Sequence, residues 1–366
     1  MDRETQERWM RHALALAGRA AGRTSPNPMV GAVVLRGGKV VGEGYHRRAG
    51  KAHAEIEALR KAGVKAHGAD LIVTLEPCCH QGRTGPCTEA VIAAGIRRVV
   101  VGMQDPNPLV KGKGMRVLRR AGIEVKSGIL RKECERLNEV FLKYIRTGLP
   151  FVTMKAAISL DGKIATNSGD SQWITGPEAR KRVHRLRNRV DAIVVGAGTV
   201  VKDDPQLTTR LGKRSGRNPV RVVLDTSNRV PPEARVFQNA DRDRVIYVTT
   251  GNTPVPHLEQ LGEAGVEVWT LRPLEDGVPL ESVLRRLAEN GLTDVLIEGG
   301  SHINASALKE GIVDKVMFFV APILIGGNGA ISVIGGPGIK HLKDALPLRQ
   351  ASVTPVGKDW MVEGYL

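Results

Sequence analysis

Residues 71–94 read LIVTLEPCCHQGRTGPCTEAVIAA, and the fold of the first half is decided here. Residues 71–74 are a short apolar run, which predicts a buried strand, and residues 88–94 carry helical spacing. Pro77-Cys78 follows the strand and Pro86-Cys87 opens the helix, so two thiols sit at element ends on either side of one loop. Upstream, His53-Ala54-Glu55 opens a helix predicted over 54–62. Before it come strands over 31–35 and 39–42, joined by Arg36-Gly37-Gly38 at hairpin spacing, and a helix over 5–18. Downstream the pattern predicts a strand over 98–102, a helix over 116–121, a strand over 123–126 and one closing helix over 132–145. A hairpin followed by alternating helices and strands predicts a layered α/β domain.

Thr147-Gly148-Leu149-Pro150 breaks the closing helix, which places the domain boundary between 1–147 and 148–366. The second half alternates again. Strands are predicted over 151–157, 192–195, 220–224, 244–249, 266–271, 294–297 and 315–321, and a terminal hairpin over 351–356 and 360–366. Helices are predicted over 177–188, 257–264, 280–290 and 303–310.

The chain has 366 residues, 42% hydrophobic and 25% charged, a globular composition long enough for two domains. No apolar run approaches the ~20 residues of a membrane-spanning helix. Met1-Asp2-Arg3-Glu4 lacks the apolar core of a secretory signal, so a cytoplasmic protein is expected. The net charge is +16, and it is lopsided: residues 1–150 hold 27 basic and 14 acidic side chains, residues 151–366 hold 27 and 24. A basic half raises nucleic acid, a phosphorylated substrate or a plain solvated surface.

Four cysteines are too few for a disulfide scaffold. Three of them cluster: Cys78, Cys79 and Cys87. One imidazole and two thiolates hold zinc with a fourth position open to water. Metal binding lowers the pKa of such a water to about 7. A carboxylate two residues from the imidazole is not needed as a ligand but is placed to carry protons, the arrangement of zinc nucleobase deaminases. His53, Cys78 and Cys87 are therefore the candidate ligands and Glu55 the proton carrier. Cys79 and His80 are rival ligands that follow no proline at an element end. Cys134 has no His or Cys neighbour and is assigned to packing.

Residues 25–31 (SPNPMVG), His53-Ala54-Glu55 and residues 76–87 (EPCCHQGRTGPC) resemble the deaminase half of the bifunctional riboflavin-biosynthesis deaminase/reductase family. The sequence departs from the family pattern at Gly85, where a second proline is common. The resemblance implies an N-terminal cytidine-deaminase-like three-layer α/β/α domain binding one zinc ion. It also implies that Asn27, His46, His80 and Arg83 meet a phosphorylated pyrimidine substrate. A guanidinium suits a phosphate through charge-assisted, bidentate hydrogen bonds.

The second half has no Gly-x-Gly-x-x-Gly, so the Rossmann fingerprint is absent. Glycines instead follow three strands, at Gly196 and Gly198, at Gly299 and Gly300, and at Gly326, Gly327 and Gly329. They let backbone approach a ligand, and a helix starting near Ser301 offers N–H groups to a phosphate. The succession of residues 155–163 (KAAISLDGK), 171–175 (SQWIT), Arg187, 198–200 (GTV), 203–208 (DDPQLT), Arg210 and Glu298-Gly299-Gly300 resembles the same family's reductase half. That implies a C-terminal dihydrofolate-reductase-like α/β domain using NADPH. It implies cofactor contacts at Ala157, Trp173, Thr199, Asp203, Thr226 or Ser227, and Gly300, Ser301, His302, Ile303, Asn304, Ala305 and Ser306. Substrate contacts are implied at Ser171, Arg187, Leu207, Arg210 and Glu298. Lys155 is the candidate for supporting the reaction centre.

A nucleic-acid deaminase is the rival reading of the basic half. Its four aromatics, Trp9, Tyr45, Phe141 and Tyr144, make poor stacking platforms, and the basic residues form no long run. A closed structural zinc site is the other rival, and it needs no adjacent carboxylate. The expectation is a bifunctional enzyme with small-molecule substrates, no nucleic-acid or membrane partner, and a symmetric homo-oligomeric state.

Overall fold

The structure, a computed structural model, describes residues 1–81, 85–212, 216–272 and 278–366. The chain forms two compact units, Met1–Leu149 and Pro150–Leu366.

The first unit runs α1 (Arg3–Gly18), β1 (Gly31–Arg36), β2 (Lys39–Tyr45), α2 (Ala54–Ala62), β3 (Asp70–Leu75), α3 (Cys87–Ala93), β4 (Arg98–Met103), α4 (Lys113–Arg120), β5 (Glu124–Ser127), α5 (Arg131–Leu137) and α6 (Glu139–Thr147). Its five-stranded sheet has the order β2-β1-β3-β4-β5. The hairpin is antiparallel, and β3, β4 and β5 run parallel as helix crossovers require. Helix α1 packs with α5, while α2, α3 and α4 pack in series, giving helical layers around a sheet whose central strands are apolar throughout. Gly42 and Gly44 let α2 lie directly on β2. A Cβ at Gly42 would stand 2.2 Å from the Ala58 carbonyl oxygen, and one at Gly44 2.7 Å from that of Ala54. This close approach fixes the first turn of α2, where His53 and Glu55 stand.

The closing helix expected over 132–145 is two helices. Asn138, between α5 and α6, has φ −107° and ψ 22°, outside helical values. Its amide accepts from Met29 N at 2.8 Å and donates to Met29 O at 3.0 Å. A partner 109 residues away imposes the break, so helical spacing alone does not reveal it.

The second unit contains β6 (Phe151–Ser159), β7 (Lys163–Ala165), α7 (Pro177–Arg187), β8 (Ala192–Gly196), α8 (Ala197–Asp203), β9 (Val220–Leu224), β10 (Val245–Thr249), α9 (Val255–Glu263), β11 (Glu267–Thr270), α10 (Leu280–Glu289), β12 (Asp294–Ile297), α11 (Ser301–Lys309), β13 (Lys315–Ala321), β14 (Ile331–Ser332), β15 (Arg349–Val356) and β16 (Asp359–Tyr365). The nine-stranded sheet has the order β11-β10-β9-β8-β12-β6-β13-β16-β15. Strands from β11 to β13 are parallel, and the terminal hairpin β15–β16 adds antiparallel to β13. Alternate side chains of β8, β9 and β10 feed two cores, one with Val194, Val222 and Ile246, the other with Ile193, Val223 and Tyr247.

Three details depart from the sequence expectation. Ala197–Asp203 is a helix rather than a glycine turn. The short pair β7–β14 was not expected, because strands of three and two residues carry too little periodicity. Helix α11 starts at Ser301, where the free N–H groups were expected, two residues before the helical spacing that begins at residue 303.

From β8 the chain runs outward to β11, then returns to insert β12 between β8 and β6. Ligands of open parallel sheets bind beyond the carboxyl ends of the strands where the order reverses. Here that places β6, β8 and β12 at the switch point.

Candidate active sites in the two units

In the first unit the strand-to-loop and loop-to-helix junctions bring three donors together. His53 Nδ1, Cys78 Sγ and Cys87 Sγ all lie within 4.8 Å of one another. His53 precedes α2, Cys78 follows β3, and Cys87 is the first residue of α3. His53 Nδ1 is 3.2 Å from Cys87 Sγ and 3.6 Å from Cys78 Sγ. Tetrahedral zinc, with Zn–S of about 2.3 Å and Zn–N of about 2.05 Å, sets N···S separations of about 3.6 Å. The donor set and its spacing therefore fit zinc. Among the described residues this is the one His/Cys/Asp/Glu group of that kind, and neither Cys79 nor His80 joins it.

The local electrostatics favour thiolate at Cys78 and thiol at Cys87. A hydrogen bond from Cys87 holds the Cys78 thiol well below its usual range, while the shared proton raises Cys87. The Cys87 backbone N–H also donates to Cys78 Sγ at 3.4 Å. His53 is raised, first by its bond to Cys78. Glu55 is 4% exposed, and burial pushes its carboxyl up to about 7. A carboxyl at that value exchanges protons readily near neutral pH.

His46 stacks edge-on against His53, with ring centroids 5.5 Å apart. Its Nδ1 donates to the Ala52 carbonyl at 3.2 Å, which leaves Nε2 to accept from Asn27 Nδ2 at 3.2 Å. Burial lowers its pKa, so the ring is neutral. Asn27 and His46 thus form one buried-edge pair beside the metal ligands. His80 is exposed. Arg83 lies outside the described residues.

Sequence reasoning missed Glu76 and Asp105. Glu76, 3% exposed, accepts from the backbone N–H groups of Asp105, Gly112 and Met115 at 3.3, 2.9 and 3.1 Å. It thereby fastens the segment after β4 against the Pro77-Cys78 corner. Asp105 is 7% exposed, and burial, then Glu76 and Cys78, raise it to about 6. An acid ending the apolar run of residues 71–75 was the available signal.

In the second unit a cavity of about 760 Å³ opens at the carboxyl ends of β8, β9 and β12. Thr199, Asp203 and Ser171 line one part, with the Ser171 hydroxyl donating to Asp203 Oδ1 at 3.1 Å. Gly300, Ser301, His302, Ile303 and Ser306 line another. Gly300 caps α11 without a side-chain bond, and the N–H groups of Ser301, His302 and Ile303 find no acceptor among the described residues. That is the free helix start a phosphate needs. Gly299 is required here, because a Cβ would stand 1.8 Å from Ile303 Cγ2. Asn304 faces inward and donates to the Val333 carbonyl at 2.8 Å, fastening a cavity-lining segment to α11. Ala305 is half-buried on the same helix, and Thr226 lines the cavity beside exposed Ser227.

Next to the switch point lies a buried charge cluster. Arg187 grips Glu298 bidentately at 2.8 and 2.7 Å and donates to the Thr208 carbonyl at 3.2 Å. Lys155 Nζ is 3.5 Å from Glu298 Oε2. Burial alone would raise Glu298, but Arg187 and Lys155 outweigh it and hold the carboxyl down to about 2. Burial lowers Lys155, with Glu298 opposing. Ala157 is on the same strand face as Lys155, two residues on.

The remaining predicted contacts are dispersed. Arg187 is committed to Glu298, so only part of its five-donor fork is left for a phosphate. Leu207 is 3% exposed within an apolar core, and its side chain faces that core. Arg210 donates through its backbone to His184 Nδ1 at 3.2 Å and through Nη1 to Gln206 at 3.1 Å. Burial, then Arg187 and Arg210, push His184 down to about 4, so it is neutral. Trp173 is 67% exposed with the Arg180 guanidinium 4.7 Å from its ring.

Comparison with known proteins bears on both units. The cytidine and deoxycytidylate deaminase zinc-binding region matches residues 3–103, and the RibD C-terminal domain matches residues 150–362. The riboflavin biosynthesis protein RibD of Bacillus amyloliquefaciens is 47% identical over 97% of this chain and 94% of its own length. The chain belongs to the RibD family. RibD of Aquifex aeolicus is 44% identical over 99% of both chains. Among solved structures, Acinetobacter baumannii RibD is 37% identical with a TM-score of 0.88, covering 100% of this chain and 99% of that one. A Thermotoga maritima diaminohydroxyphosphoribosylaminopyrimidine deaminase/5-amino-6-(5-phosphoribosylamino)uracil reductase is 39% identical, with a TM-score of 0.87 and 99% coverage of both. As a RibD-family member the chain is a bifunctional deaminase/reductase of riboflavin biosynthesis, with a zinc-binding deaminase half and an NADPH-using reductase half. No described helix is long and apolar enough to cross a membrane.

Proposed function

We propose that this chain deaminates 2,5-diamino-6-(5-phosphoribosylamino)pyrimidin-4-one within residues 1–147. We propose that it reduces the ribosyl side chain of the resulting uracil within residues 148–366. The observation that carries the reading is the triangle of His53, Cys78 and Cys87 with a buried carboxylate, Glu55, two residues from its imidazole. His53, Cys78 and Cys87 would hold zinc, which when bound would supply an activated water at neutral pH. Glu55 would take one proton from that water and give it to a ring nitrogen, then carry the second, from the hydroxyl added to the amine-bearing carbon, to the departing amine, so that ammonia leaves. Asn27 and His46 hold the pyrimidine, and His80 and Arg83 meet its phosphate end.

In the second half bound NADPH would supply the hydride, which no side chain can. Thr199, Asp203, Trp173, Ala157, Thr226 or Ser227, and the backbone from Gly300 to Ser306 hold that cofactor. Lys155 donates a hydrogen bond or proton at the oxygen released as the anomeric carbon is reduced. Glu298, kept ionised by Arg187 and Lys155, fixes Lys155 and accepts from substrate hydroxyls. Ser171, Arg210 and the backbone at Leu207 complete the substrate contacts.

The substrates are small phosphorylated molecules, and the basic first half is mostly solvated surface rather than a nucleic-acid site. A cytoplasmic location fits the sparse, unpaired cysteines. A homo-oligomer is supported by the edge strand β15, exposed along most of its length with Val353 65% exposed and Leu346 57% exposed just before it.

The test is Glu55→Gln. Ammonia release should fall by about 10³-fold, the size of a lost proton carrier, while zinc content measured by atomic absorption stays at one per chain. Normal ammonia release in that variant would remove the role given to Glu55.

A further inference from the structure

Strand β9 ends at the cavity, and the next five residues are Asp225, Thr226, Ser227, Asn228 and Arg229. In Rossmann dinucleotide sites an acidic side chain near a strand end takes ribose hydroxyls, whereas an arginine accommodates a 2′-phosphate, and the same charge logic applies at this strand end. Asp225 holds the first position, yet it is turned away. It is 1% exposed. Oδ1 accepts from the Ser227 N–H at 3.1 Å. Oδ2 accepts from the N–H groups of Arg229 and Val230, both at 2.8 Å, and from the Tyr247 hydroxyl at 3.1 Å. Its oxygens are thus occupied by donors of its own turn and of the neighbouring strand.

The same bonds present Arg229 outward. Its side chain is exposed and lines the cavity, and its guanidinium has no hydrogen bond or ion pair among the described residues. The Thr226 side chain lines the cavity with it. Only one carboxylate, Asp203, is in the described lining, and it already accepts from Ser171. The other lining cation is Lys202, whose Nζ lies against Gly169, 2.1 Å from where a Cβ there would stand.

We infer that Arg229, with the Thr226 hydroxyl, binds the 2′-phosphate of the dinucleotide and makes the reductase select NADPH over NADH. Asp225 is the positioning residue that fixes this turn. The inference rests on the reading that the cavity holds the nicotinamide cofactor. A planar guanidinium with all its N–H donors available matches a phosphate dianion bidentately, and a ribose hydroxyl offers no charge to match it.

The experiment is a binding titration of the full chain with NADPH, NADH, 2′,5′-ADP and 5′-AMP, by NADPH fluorescence and calorimetry. Arg229→Gln should weaken NADPH and 2′,5′-ADP by about 10- to 100-fold, the size of a lost charge-assisted hydrogen-bond pair. NADH and 5′-AMP should bind that variant as they bind the parent, which also shows that it is folded. Arg229→Lys should recover part of the loss, and Lys202→Gln should leave the NADPH-to-NADH ratio unchanged. Unaltered NADPH affinity in Arg229→Gln, an equal loss for NADH, or a ratio that collapses in Lys202→Gln would overturn the assignment. A parent chain that binds neither NADPH nor NADH would instead overturn the cavity reading beneath it.

Discussion

The metal corner of the first unit and the cavity of the second are built in opposite ways. In the first unit, four chemically distinctive side chains fall within 35 residues, His53 to Cys87, and their own atoms make the site. In the second, the cavity draws on residues from Ile164 to Gly336, and backbone, glycines and a helix start do much of the binding. A site made of side chains depends on each one absolutely. A site made of strand ends tolerates single losses but depends on the turns that hold those ends.

Substitutions separate the two kinds of site. The largest effect is expected from Cys78→Ser, which removes one thiolate of three. Zinc content should drop to background with ammonia release, while NADPH oxidation on supplied aminouracil substrate persists. Lys155→Met should lower reductase turnover by about 10²-fold with little change in the Kd for NADPH, as expected for a lost proton donor. Unchanged turnover and unchanged NADPH binding together would sink the role given to Lys155.

Arg187→Gln leaves Glu298 buried with only Lys155 beside it. It should destabilise the second unit by about 3 kcal/mol in chemical denaturation. The parent should show the linked pH dependence. Glu298 has a folded pKa depressed to about 2, so its contribution is complete above the unfolded value of about 4.3. It is lost as pH falls toward about 2, and Arg187→Gln should flatten that acid limb. The smallest effect is expected from Asn138→Ala, which strips the Met29 backbone of its partner and should cost about 1–2 kcal/mol in the first unit alone. An equal loss of stability in the second unit would contradict the separation.

The same contrast explains what was legible in the sequence. His53-x-Glu55 and the two Pro-Cys pairs were readable because local spacing and residue chemistry determine them. The central strands were readable because parallel strands buried on both faces are apolar runs. The break at Asn138 was not, because its cause is Met29, far away in the chain. Glu76 and Asp105 were missed because burial, not residue type, gives them their bonds and shifted titration. Leu207 shows the converse: the family motif marks its position, while its side chain packs into a core. Arg229 was invisible because its meaning depends on which way Asp225 turns, and orientation at a strand end is set by Tyr247 and the turn itself.

The central claim is that one chain carries two chemically independent sites. It is tested most directly by scoring ammonia release and NADPH oxidation separately in Glu55→Gln and in Lys155→Met. The account predicts that Glu55→Gln loses ammonia release but oxidises NADPH when given the deaminated substrate, and that Lys155→Met does the reverse. Loss of both activities in either variant, with the fold intact, would contradict it.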